Sequence, residues 1–188
     1  MDYDIIIIGS GPAGYVAAIR AGQLGKRVAI VEKAAIGGMC LNWGCIPSKS
    51  MIESAKLYRR LKTEGVKFGI GGLDLKNIYF DYAKAQQRAA SIVRRLSKGV
   101  EFLLAKNKVE IIRGEAKIVE KNGVLVDNRL LKAENIIVST GSRLEKLTDS
   151  EKEVNISKFY ELQTIPEKIV IVGFDAPSVE MSQMLAMI

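Results

Sequence analysis

The chain of 188 residues has no histidine, two cysteines, four prolines and one tryptophan, and only 6% of it is aromatic. The missing histidine removes the commonest general acid–base side chain and the commonest metal ligand. Two thiols without an imidazole also exclude a four-coordinate Cys/His zinc site, so no metal is expected. Scarce aromatics leave Ile, Val, Leu and Ala to fill the core. No apolar run is long enough to cross a bilayer. The first one, Ile5 to Ile8, follows Asp2 and Asp4 and reads as neither a membrane span nor a signal peptide. A cytoplasmic, reducing location is therefore expected. A structural disulfide is unusual there, so two cysteines five apart point to chemistry.

The chain does carry a folded composition, 48% hydrophobic and 26% charged, with a net charge of +7. The basic residues are scattered along helical stretches, as at Arg59-Arg60 and Arg94-Arg95, without interleaved aromatics. They read as a solvated face, and no nucleic-acid partner is expected.

The hydrophobic pattern reads as an α/β chain. Residues 3–8 form a short, β-branched, buried parallel strand. A glycine turn over 9–14 leads into an Ala-rich helix over 13–24, and a second buried strand follows at 27–31. A Gly/Cys-rich loop over 34–47 enters a helix with Pro47 in its first turn and Ser48 to Lys62 following. Residues 63–76 connect to a long amphipathic helix over 77–106, with Ile92, Val93, Leu96, Val100, Leu103 and Leu104 on its apolar face. Short strands are expected from Val109 to Lys132, with a hairpin turn at Asn122-Gly123. A buried strand over 135–138 then ends at Thr140-Gly141-Ser142. A charged linker over 143–167 precedes a fresh strand at 168–172, which echoes the first strand.

Gly9-Ser10-Gly11-Pro12-Ala13-Gly14 has the spacing G-x-G-x-x-G, and Glu32 lies eighteen residues beyond it at the end of the second strand. In this strand–turn–helix setting the pattern predicts a dinucleotide site. Gly9 permits the turn, Gly11 lets backbone approach a pyrophosphate, and Gly14 lets helix and strand pack closely. The helix start offers free N–H groups and partial positive charge. The Glu32 carboxylate suits ribose hydroxyls and disfavours a 2′-phosphate.

Cys40 and Cys45 stand in Gly37-Gly38-Met39-Cys40-Leu41-Asn42-Trp43-Gly44-Cys45-Ile46-Pro47-Ser48-Lys49. A helix start and a nearby lysine both favour thiolates, so these thiols are placed to be reactive. A strained, accessible disulfide between them would be reducible, as a catalytic pair must be.

That segment resembles the redox motif of the pyridine-nucleotide–disulfide oxidoreductases, and its ending Gly-Cys-Ile-Pro-Ser-Lys is most similar to their dihydrolipoamide dehydrogenase branch. Mercuric ion reductases share much of it. The resemblance implies a Rossmann-like FAD-binding domain over 1–145, with a parallel sheet and a small antiparallel hairpin region. Residues 146–188 would be a linker and the truncated or degenerate start of an NAD-binding domain. It implies catalytic roles for Cys40, Cys45, Lys49 and Glu180. Cys40 would exchange with substrate, Cys45 would lie against the flavin, and Lys49, paired with Glu180, would sit near the flavin's reactive nitrogen. FAD contacts would come from the Gly9, Gly11, Pro12, Ala13 and Gly14 turn, and from Glu32, Lys33, Gly38, Met39, Cys40, Lys49 and Ala116. Thr140, Gly141 and Ser142 resemble the family's second flavin motif. The implied reaction is oxidation of a small-molecule or lipoyl-domain dithiol with NAD as acceptor. The implied partners are a 2-oxo acid dehydrogenase or glycine cleavage complex and a second subunit. An FAD-binding fragment or short relative without turnover is the alternative.

Three departures stand against the family pattern. Arg143-Leu144 replaces a proline. The second glycine motif is reduced to Gly173, with Asp175 and Ser178 at its other glycine positions. Family members continue into further domains, one carrying a histidine acid–base that this chain lacks.

Overall fold

The computed structural model describes residues 1–72, 74–142 and 147–188. They form two compact units. One comprises Met1–Asn42 with Arg94 to Ser142, the other Trp43–Val93 with Leu147 to Ile188.

The first unit is built on six strands. β1 (Tyr3–Ile8), β2 (Val28–Glu32) and β3 (Glu110–Arg113) run parallel, and β1 also pairs in parallel with the end of β6 (Arg129–Val138). The start of β6 pairs antiparallel with β5 (Gly123–Val126), which pairs with β4 (Ala116–Glu120). The order is β3-β2-β1-β6-β5-β4. Val124, Val126 and Leu131 of the antiparallel part share one core with Ile6, Ile8, Ala29 and Val31 of the parallel part. Ile7, Val28 and Ile30 are buried on the opposite face, and burial on both faces explains why β1 and β2 are nearly unbroken β-branched runs.

α1 (Pro12–Gln23) packs on β1 and β2 through Gly14, Ala18 and Ala21, whose small size lets the helix lie close to the sheet. α2 (Gly38–Asn42) is a single turn. Asn42 donates from Nδ2 to the carbonyls of Ile36 and Gly38, at 3.0 Å each.

The second unit is helical. α3 (Cys45–Glu64), the start of α4 (Tyr82–Lys106), α5 (Ile156–Phe159) and α6 (Ala176–Leu185) enclose Met51, Ala55, Ala85, Ala89, Phe159 and Met184. Tyr82 donates its buried hydroxyl to the Phe159 carbonyl at 3.0 Å, and burial pushes its pKa up to about 12.

Five sequence expectations shift. α4 starts at Tyr82, not at residue 77, because Asp81 caps it by accepting from the Lys84 N–H at 2.9 Å. Val100 and Leu104 of its apolar face are buried, whereas Leu96 and Leu103 are exposed. The hairpin turn sits at Lys121-Asn122, with Gly123 already paired in β5 opposite Glu120. Residues 168–172 form no strand, since no described strand lies beside them to complete the hydrogen bonds. Val170 and Val172 are consequently exposed. The linker expected over 143–167 contains α5, capped by the Asn155 side chain, and its residues 143–146 lie outside the described ones. No described helix is long and apolar enough to cross a membrane.

Candidate functional site

The carboxyl ends of β1, β2 and β3 converge on one edge of the first unit, the edge where open parallel sheets take ligands. Gly9 turns the chain there with φ +97°, and a Cβ on it would lie 2.4 Å from the Ser139 carbonyl oxygen. Only glycine accepts both the backbone angle and the contact. A Cβ on Gly14 would lie 1.9 Å from the Gly9 oxygen, so α1 meets the turn only through a bare Cα.

Gly11 is different. Its φ is −66° and a Cβ there would meet nothing within 4 Å. No described residue requires glycine at this point. Gly38, at φ +63°, brings its Cα against that of Gly11, where a Cβ would come to 2.6 Å. α1 has no side-chain cap and no acidic residue in its first turn. The N–H groups of Ala13 and Gly14 therefore keep their capacity for an anion.

Glu32 closes the far side of this cradle. Its Oε2 accepts from the Ser10 N–H at 2.9 Å and the Ser10 hydroxyl at 2.6 Å, and its Oε1 accepts from the Ala34 N–H at 2.8 Å. Burial raises the carboxyl pKa, but the Ser10 hydroxyl and the Ala34, Ser10 and Lys33 N–H groups outweigh it, leaving Glu32 below its ordinary value of 4.5. A carboxylate has about four acceptor positions, so capacity remains for a ribose hydroxyl. A depressed folded-state pKa gives stability that is full above pH 4.5 and lost as the pH falls through the folded value.

Ser10 itself is a residue the sequence reading passed over. It is fully buried, and its carbonyl accepts from the Gly37 N–H at 3.0 Å. It thereby joins the loop after β1 to the loop after β2. Its place between two glycines was the available signal, since a small polar side chain there reaches only its own loop or the next strand end. Glu32→Ala should strand the buried Ser10 donors and cost about 1–3 kcal/mol. Thermal unfolding at pH 7 measures this, and an unchanged midpoint would show that the Glu32–Ser10 hydrogen bonds do not stabilise the fold.

Lys33 pairs with Glu115 at 2.7 Å, on the same edge, and Ala116 opens β4 opposite Val126. Met39, Thr140, Gly141 and Ser142 are exposed, as are Pro12 and Ala13, and Cys40 is half-buried in α2. Ser139, also unforeseen, donates from Oγ to the Ile8 and Gly9 carbonyls at 3.0 Å each and fixes the end of β6 against the turn.

In the second unit, Gly44 is the N-cap of α3 and Cys45 its first residue, with no side-chain cap and no acidic residue in the first turn. Lys49 follows one helical turn later, on the same face. Its Nζ meets Glu180 Oε1 at 2.5 Å. Both cysteines are disulfide-bonded, and the chain has no others, so Cys40 and Cys45 are each other's partners.

A sheet of this topology, with its first helix left open at the glycine turn, belongs to the dinucleotide-binding class of α/β proteins. The chain belongs more narrowly to the pyridine nucleotide-disulphide oxidoreductase family, whose model matches residues 3–188. It is 40% identical over 189 residues to the dihydrolipoyl dehydrogenase of Chlorobaculum parvum, covering 96% of this chain and 39% of that protein. It is 41% identical over 180 residues to that of Bacillus subtilis, covering 92% of this chain and 37% of that one. Among solved structures it is similar to the HOCl-induced flavoprotein disulfide reductase RclA from Escherichia coli. The TM-score is 0.82 at 26% identity, over 98% of this chain and 40% of that one. The chain thus spans well under half the length of these relatives.

Proposed function

We propose that the chain is the flavin- and disulfide-bearing portion of an FAD-dependent dithiol/disulfide oxidoreductase whose substrate is a dihydrolipoyl group. The observation that carries this reading is the oxidised Cys40–Cys45 pair, with Cys45 exposed at the open start of α3. By role, residues 1–145 would form the FAD-binding domain, and residues 146–188 a linker and the truncated or degenerate start of an NAD-binding domain.

The cradle of Gly11, Ala13 and Gly14 would hold the FAD pyrophosphate, with Glu32 at a ribose. Gly38, Met39, Ala116 and Thr140 to Ser142 would make further contacts. When bound, FAD supplies a two-electron acceptor for the reduced cysteine pair. The chain's own work is thiol exchange. A substrate thiolate attacks Cys40 Sγ, the Cys40–Cys45 bond breaks, and Cys45 leaves as a thiolate. The second substrate thiol loses its proton and attacks the substrate sulfur of the mixed disulfide, expelling the Cys40 thiolate. Substrate becomes a disulfide, the pair gains two electrons, and two protons are released. The α3 start and the Lys49 ammonium one turn along favour the Cys45 thiolate as leaving group. Lipoyl-bearing 2-oxo acid dehydrogenase or glycine cleavage assemblies are the corresponding partners.

The test is the visible spectrum of the purified chain with FAD, before and after dihydrolipoamide. Retained flavin absorbance that changes on adding the dithiol supports the reading. Flavin that stays unchanged while thiol titration shows the pair reduced overturns it.

A further inference from the structure

The second glycine motif of the chain turns into a helix as the first does, although no described strand directly precedes it, and then fills its own anion site. Gly173 turns the chain at φ +128°, as Gly9 does at +97°. After each turn a helix begins, and the two starts align position by position. Gly11, Pro12, Ala13 and Gly14 correspond to Asp175, Ala176, Pro177 and Ser178.

The resulting donors differ. In α1 the proline takes the first helical position, and Ala13 and Gly14 keep their N–H groups. In α6 the proline takes the second position, so that N–H does not exist. The third, on Ser178, donates to Asp175 Oδ1 at 3.0 Å, and the Ser178 hydroxyl donates to the same oxygen at 2.5 Å. Asp175 is the N-cap, and its carboxylate stands where the first motif leaves Gly11 bare. A Cβ on Gly11 would meet no described atom within 4 Å, whereas the Asp175 side chain at the corresponding position is held by the Ser178 hydroxyl. The Ser178 hydroxyl and N–H hold the Asp175 carboxyl below its usual range. The residues present do not fit a nicotinamide dinucleotide.

We propose that Asp175 is a specificity-determining residue that closes the start of α6 to the pyrophosphate of NAD or NADP. The carboxylate repels the phosphates, the cap consumes one donor, and Pro177 removes another. This goes beyond the flavin reading and does not depend on it.

The test is a titration of the isotope-labelled full chain with NADH, and separately with inorganic pyrophosphate, followed at the backbone amides of Ala176, Ser178 and Val179. No saturable shift is expected up to about 1 mM, a range in which a working site saturates. Asp175→Gly with Pro177→Ala should bind pyrophosphate at least about tenfold more tightly than the parent chain, because a charge is lost and two donors return. Asp175→Asn keeps an oxygen for the Ser178 N–H and guards against simple loss of the cap. It should fall between the two. Saturable shifts at Ser178 in the parent chain overturn the proposal, as does pyrophosphate affinity equal in all three. The amides of Ala13 and Gly14, read with FAD in the same samples, report separately on the flavin site.

Discussion

Replacing Cys40 with serine should leave a chain that reacts with a disulfide once and then stops. In the parent chain a reducing dithiol opens the Cys40–Cys45 bond and yields two thiols. Added glutathione disulfide then reacts with one of them, and the other expels glutathione and closes the ring again. The second step is intramolecular, between sulfurs that the fold already brings to bonding distance, so it outruns any external thiol at millimolar concentration. Without Cys40 that step has no nucleophile. The Cys45–glutathione adduct should accumulate stoichiometrically and decay more slowly than in the parent by on the order of 10³-fold. Mass spectrometry of samples quenched in acid reads the adduct directly. A reduced parent chain that collects two glutathiones, one per cysteine, would show the thiols acting independently and would remove the pair from the proposed chemistry. Cys45→Ser should trap an adduct on Cys40 likewise. The ratio of the two initial rates identifies which sulfur meets the disulfide first.

The parts of the fold that the sequence made legible share a cause. β1, β2 and α1 are specified by local pattern: β-branched runs buried on both faces, small residues where the helix touches the sheet, and glycines where the backbone leaves no alternative. The redox pair was legible because its spacing and the residues after it are both distinctive. What escaped was set by distant partners. The exposure of Leu96 and Leu103 on α4 cannot be read from a helical period that marks them apolar. The five-residue delay at the start of α4 depends on a cap at Asp81 rather than on periodicity. The run 168–172 has a strand's composition, but a strand is a pairing, and composition does not supply the neighbour. Within the site, Glu32 was found by spacing, while its partner Ser10 was missed because the motif treats that position as free. Asp175 was legible as a departure, and only its hydrogen bonds to Ser178 identify it as a cap.

Gly14 and Gly11 lie three residues apart in one motif, and alanine should affect them in opposite ways. Gly14→Ala puts a methyl group 1.9 Å from the Gly9 oxygen and 2.8 Å from Ser139 Oγ. Neither neighbour can retreat. The Gly9 N–H donates to the Val31 carbonyl at 2.8 Å, the Ser139 N–H donates to Ile8 at 2.8 Å, and Ser139 Oγ holds the Gly9 oxygen at 3.0 Å. Relief therefore requires moving α1 off the sheet, and the expected cost is about 3 kcal/mol or more, a fall of about 10 °C in Tm. Gly11→Ala meets open space at a φ of −66°, which alanine accepts. It should leave stability unchanged or raise it by about 0.4–1 kcal/mol through the unfolded chain. Its cost should fall on ligand binding, because the methyl group occupies the place where a pyrophosphate would approach the backbone. Thermal unfolding and FAD retention, measured on both variants, separate the two roles. Equal losses of stability would mean that Gly11 serves the fold as Gly14 does. A Gly11→Ala chain that keeps both its stability and its FAD would leave the open cradle over α1 without a ligand to explain it.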